Sequence, residues 1–105
     1  MIGPETIKKA VETLAAAARP ARVILFGSHA RGMASDDSDL DFVVVERTVT
    51  NRHAEMVRLR DALRPLRVPA DIIVVSEEAF AKWSEVEGTV LWEAAHNGLV
   101  MDVGS

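Results

Sequence analysis

Cysteine and tyrosine are absent from these 105 residues, and three phenylalanines and two tryptophans are the only aromatic side chains. Without cysteine there is neither a disulfide framework nor a thiolate metal site, which fits the reducing cytoplasm. So few aromatic rings leave little material for a base-stacking platform on single-stranded nucleic acid. An excess of basic charge is missing too. The net charge of −4 argues against broad binding to a phosphate backbone, so a nucleic-acid partner is not expected. No apolar run approaches the roughly 20 residues of a membrane span, and Met1-Ile2-Gly3-Pro4-Glu5 is unlike a signal peptide, so no membrane partner is expected either. What remains is an ordinary globular balance, 49% apolar and 27% charged, expected to fold as one domain over residues 1–105.

Periodicity supplies the elements. Pro4 suits a first helical position, and Ile7, Val11, Leu14 and Ala18 form one stripe of a helix over 4–19 that Pro20 ends. Arg22 to Phe26 is short, rich in β-branched residues and bounded by Pro20 and Gly27, hence a strand. Gly27-Ser28 should turn into a short helical segment closed by Gly32, and residues 35–38 should be loop before a strand from Leu40 to Glu46. Thr50 or Asn51 can cap a helix to about Arg64, with Pro65 just beyond. A third strand spans Ala70 to Val75, and Ser76 can cap the first of two short helices, over 77–84 and 88–97. Asn97-Gly98 ends the second, and Leu99 to Val103 reads as an edge strand. The pattern αβ(α)βαβααβ predicts an α/β (α+β) fold, a small sheet with helices packed on it in one layer pair. Both faces of the first three strands are apolar, so the second face is expected to be covered by the C-terminal helices or by a partner.

The chemistry concentrates in residues 27–41, Gly-Ser-His-Ala-Arg-Gly-Met-Ala-Ser-Asp-Asp-Ser-Asp-Leu-Asp. Asp39 and Asp41 are two apart, which on a strand puts both carboxylates on one face. Asp71 opens an otherwise apolar strand, a costly place for a lone charge. If that strand lies beside the one begun by Leu40, the three carboxylates cluster, and each like-charge pair about 4 Å apart costs on the order of 4 kcal/mol at an effective dielectric of about 20. A divalent cation removes that cost, and hard oxygen ligands without histidine or cysteine indicate Mg²⁺ or Mn²⁺. Gly27 permits close backbone approach, and Ser28 offers a hydroxyl and an amide to phosphate oxygens. Arg31 is near enough to reach the same anion or to pair with the acidic loop. Together these describe a metal–nucleotide site for phosphoryl or nucleotidyl transfer. Calcium and P-loop readings fail on spacing: an EF-hand from Asp37 needs glycine where Phe42 stands, and a P-loop needs lysine where Met33 follows Gly32.

Gly27-Ser28, ten intervening residues, then Asp39-Leu40-Asp41 resembles the hallmark of the DNA polymerase β-like nucleotidyltransferase superfamily. Gly27-Ser28-His29-Ala30-Arg31-Gly32 with Ser38-Asp39-Leu40-Asp41 is similar to its minimal nucleotidyltransferase (MNT) branch. The resemblance implies a small mixed sheet with flanking helices, two Mg²⁺ ions and ATP as substrate. It implies that Asp39 and Asp41 hold both ions, that Asp71 completes the second and helps deprotonate the attacking hydroxyl, and that Gly27 and Ser28 hold the triphosphate. Chains of this size in that branch are similar to antitoxins of HEPN–MNT pairs, which transfer AMP to a tyrosine hydroxyl of the HEPN toxin. The expected partner is therefore a HEPN-type protein, in a hetero- or homo-oligomer, with the acceptor supplied by that partner rather than by a second domain. Neutralisation by binding alone and transfer to a small molecule or RNA end are the rival expectations.

Other features carry less. His29, His53 and His96 show no ligand spacing and read as surface residues. Six of the nine arginines fall between Arg47 and Arg67, which reads as a solvated helix face, with an acidic partner the alternative. Trp83 and Trp92 read as core or rim.

Overall fold

A computed structural model describes residues 3–18, 22–30, 32 and 39–101. Helix α1 (Pro4–Ala18) buries Ala10, Val11 and Leu14 along one stripe, and the Gly3 carbonyl accepts from the Thr6 and Ile7 amides at 3.1 Å. Strands β1 (Arg22–Phe26), β2 (Leu40–Glu46) and β3 (Ala70–Ser76) fall where the alternation predicts, β3 one residue longer. Asn51 caps α2 (Arg52–Leu63), its side chain accepting from the Ala54 amide at 3.0 Å. A 3₁₀ turn over Arg64–Leu66 follows. Ser76 caps α3 (Glu77–Trp83) by accepting from the Ala79 amide at 3.1 Å. Helix α4 (Val90–Asn97) starts two residues later than the sequence suggests, because Thr89 takes the cap position and accepts from the Trp92 amide at 3.2 Å. Strand β4 (Leu99–Met101) closes the order, while residues 102–103 of the expected strand lie outside the described residues.

The four strands run in the order β3-β2-β1-β4. Strand β1 pairs antiparallel with β2 and β4, whereas β2 and β3 pair in parallel, joined by the α2 crossover. A mixed sheet with flanking helices is therefore the fold. Its layering differs from the one layer pair predicted, since helices cover both faces. On one face α1 and α2 close over Val23, Leu25, Leu40, Phe42, Val44, Ile72 and Val74. On the other, Phe80 of α3 and Leu91 and Ala94 of α4 close over Ile24, Val43, Val45 and Val75. The cause is the apolar character of both parities, each buried side chain of this size contributing about 1.5–3 kcal/mol. Coverage by the C-terminal helices is the outcome for the second face. Gly98 makes their packing possible, because a Cβ there would overlap the Ala94 carbonyl oxygen and stand 2.6 Å from Cγ2 of Ile24.

The arginine-rich α2 is largely a solvated face, with one structural tie. Arg58 bonds both carboxylate oxygens of Glu55 at 2.8 and 2.7 Å and donates at 2.8 Å to the Ala17 carbonyl of α1. Beside this pair, at the end of β2, Glu46 Oε2 is buried without a hydrogen-bond partner. Two ionised carboxylates cannot hydrogen-bond, but a proton on Glu46 makes it a donor to Glu55. Burial first, and Glu55 second, push the Glu46 carboxyl up to about 7, against the pull of Arg58. The Arg58 hydrogen bond holds Glu55 below its ordinary value.

Candidate active site

Strand β1 ends at Phe26, and the chain turns at Gly27 with φ +77°, a conformation that favours glycine. Residues 28–30 continue as a turn, where the sequence suggests a short helical segment. The turn faces β2 directly. Phe26 is the register partner of Asp41, and a Cβ on Gly27 would overlap Oδ2 of Asp41 and stand 3.3 Å from its Cγ. The Asp41 carboxylate thus occupies the space that any other residue at position 27 would fill.

The parallel pair supplies the next carboxylate. Asp41 is in register with Asp71, so both lie on the face covered by α3 and α4, each the second residue of its strand. Asp39, two residues before Asp41, is exposed just ahead of β2. Burial raises the Asp41 pKa most, and repulsion by Asp71 and then Asp39 adds to it. The three carboxylates therefore share one field, the condition that β3 lie beside β2 being met. His29 opposes these effects and stabilises the Asp41 charge. That proximity has no sequence signal beyond the adjacency of His29 to Ser28, and the surface reading of His29 needs this correction: it is half-buried and faces the cluster. Ser28 is half-buried in the same turn. Arg31, expected to reach the anion, lies outside the described residues, as do Asp36 and Asp37.

Three carboxylates sharing a field are a hard oxygen donor set that fits Mg²⁺ or Mn²⁺. Among the described residues no three such side chains form a ready-made ligand set as they stand. Among the described residues, too, no helix is long and apolar enough to cross a membrane.

A glycine turn after one strand, facing carboxylates on the next two, is the arrangement of a nucleotidyl-transfer domain. The chain belongs to the nucleotidyltransferase domain family, which matches over residues 5–93. In fold it is similar to the crystal structure of a "putative nucleotidyltransferase" from Sulfolobus solfataricus, with a TM-score of 0.62. The two are 24% identical, over 91% of this chain and 76% of that one, a likeness that speaks for the fold. No curated protein matches the chain in sequence.

Proposed function

We propose that this chain is a Mg²⁺- or Mn²⁺-dependent nucleotidyltransferase that moves AMP from ATP to a tyrosine hydroxyl of a partner HEPN toxin in the cytoplasm, silencing it. One observation carries the transfer reading: Asp41 stands in register with Asp71 on one side while its carboxylate fills the space over Gly27 on the other. Asp39, Asp41 and Asp71 would hold the metal, which when bound neutralises charge on the triphosphate and the departing pyrophosphate. Gly27 and Ser28 would hold the triphosphate, the amides of the turn and the Ser28 hydroxyl donating to phosphate oxygens, while the absent Cβ leaves room for the Asp41 carboxylate beside them. Asp71, exposed at the head of β3, takes the proton of the attacking hydroxyl. The hydroxyl oxygen bonds the α-phosphorus, the bond from that phosphorus to the bridging oxygen breaks, and pyrophosphate leaves.

The protein acceptor is supported by the surface around the C-terminal helices. Trp83, Val86 and Val90 are exposed along α3, α4 and their connection, and Leu99 and Val100 on the edge strand β4, apolar side chains that a protein partner can cover. The same surface supports a second reading, a non-catalytic antitoxin that works by binding alone. Mixing the chain with a HEPN-type partner and Mg-ATP separates the two. The expected result is an AMP-sized mass gain on a partner tyrosine, absent with Asp39→Asn or Asp41→Asn. Neutralisation that survives both substitutions refutes catalytic silencing, and AMP found only on a small molecule or RNA end refutes the protein acceptor.

A further inference from the structure

Beside the carboxylates, on the same side of the sheet, an open cleft of about 430 Å³ runs between the end of β1 and the start of α4. Phe26, Val90 and Trp92 give it apolar walls, and Glu87 and Glu93 give it an acidic rim. Its volume lies within the roughly 300–1,000 Å³ of ligand clefts. Phe26 ties the cleft to the candidate active site, since it is the direct cross-strand partner of Asp41 and immediately precedes Gly27. Across an antiparallel pair, side chains directly opposite lie about 5 Å apart on one face. A group bound against Phe26 is therefore within the length of one nucleotide of whatever Asp41 and Gly27 hold.

We propose that this cleft is the nucleobase subsite, and that it takes the base of an amino-bearing nucleoside triphosphate such as ATP. The inference rests on the nucleotidyl-transfer reading above. Three features select the base over the other parts of the substrate. The acidic rim repels phosphate, so the triphosphate end lies toward Gly27 and the uncharged end in the cleft. Phe26 and Trp92 line the cleft with aromatic rings that a planar base can pack against, His96 covering one face of Trp92 at 4.4 Å between centroids. The polar groups are acceptors: Glu87 and Glu93 carry carboxylates, Glu93 Oε2 also accepting from the Asn97 side chain at 2.9 Å, while the Thr89 hydroxyl donates to the Trp83 and Val86 carbonyls. Carboxylates favour an exocyclic amino group, a donor, over the carbonyl that uracil presents in its place. The acceptor hydroxyl then enters from the opposite side, where Asp71 stands on β3 across β2 from β1. Reading Trp92 as mere core or rim misses this, because Phe26 and Trp92 lie 66 residues apart in the chain and meet only through the packing of α4 on β1.

The test compares Mg-ATP, Mg-UTP and Mg-tripolyphosphate binding to a Trp83→Phe variant, in which Trp92 is the only tryptophan, with calorimetry on the unmodified chain as a check on the variant. ATP is expected to bind about tenfold more tightly than tripolyphosphate and to change Trp92 emission, with UTP weaker than ATP by several-fold. Val90→Gln, longer and uncharged at an exposed position, should weaken ATP about fivefold and leave tripolyphosphate unchanged. Equal affinity for ATP and tripolyphosphate, or UTP as tight as ATP, overturns the subsite while leaving the triphosphate site standing. Failure of all three ligands to bind overturns the subsite and the nucleotidyl-transfer reading together.

Discussion

Glu46→Gln should stabilise the protein above neutral pH and leave it unchanged in mild acid. In the folded chain Glu46 holds its proton up to about 7, against an ordinary value of 4.5. A raised carboxyl pKa means the folded state keeps a proton that the unfolded chain has released. Its stabilising contribution is therefore complete below 4.5 and is lost as the pH rises through 7. Glu55 is shifted the other way, and its window lies below 4.5, so it does not offset the effect. The full shift corresponds to about 3 kcal/mol, and solvent screening at this half-buried residue reduces the expectation to about 1–2 kcal/mol. Glutamine keeps the shape, donates to Glu55 permanently and removes the titration. Urea denaturation at about pH 5 and about pH 8, with EDTA present, should show wild-type stability falling by that amount and the variant falling less. The variant gains most at the higher pH, with a melting temperature raised by about 5 °C per kcal/mol. Asp41 titrates in both proteins and cancels in the comparison. Wild-type stability that is flat or rising over this range, or a variant less stable than wild type at about pH 8, would refute the argument.

Three further perturbations address the site and its support. Gly27→Ala combines a positive φ with overlap onto Asp41, and should cost about 1–3 kcal/mol in urea melts and lower transfer by about 100-fold in a steady-state assay. Asp41→Asn removes a charge that burial and two neighbouring aspartates oppose, so the metal-free protein should gain about 1 kcal/mol. Its melting temperature should no longer rise with Mg²⁺ and nucleotide, whereas a wild-type site at about 100-fold saturation gains about 2.7 kcal/mol. Arg58→Ala should cost about 1 kcal/mol by cutting the link to Ala17, more at high pH where Glu46 and Glu55 are both charged, as urea melts at two pH values would register.

The elements of this fold are legible in the sequence because alternation and caps are local. Asn51, Ser76 and the Leu40–Glu46 alternation each act within a few residues. The spacing of Asp39 and Asp41 is local in the same sense. The pairing of β2 with β3 is not, since it depends on where α2 packs, and the meeting of Asp41 with Asp71 could be written from sequence only as a condition. Coverage of the second sheet face by helices is legible only as one of two options, because the buried residues of α3 and α4 are too few to show a long apolar stripe. His29 and Glu46 owe their importance to neighbours brought close by tertiary packing or by a turn, and an imidazole or a strand-end glutamate carries no mark of that in one dimension.

The parallel register has a consequence for how such a chain can change over generations. Residues along a strand alternate between faces, so inserting one position between Asp71 and Ile72, with the buried run from Ile72 to Val75 held in place, would turn Asp71 toward α1 and α2 and empty its place beside Asp41. The same change in the connection over 47–51 or 67–69 leaves the pairing untouched. Length variation in descendants of this sequence is thereby channelled into the connections, while the spacing of residues 39–46 and 70–76 is frozen by function as firmly as by packing.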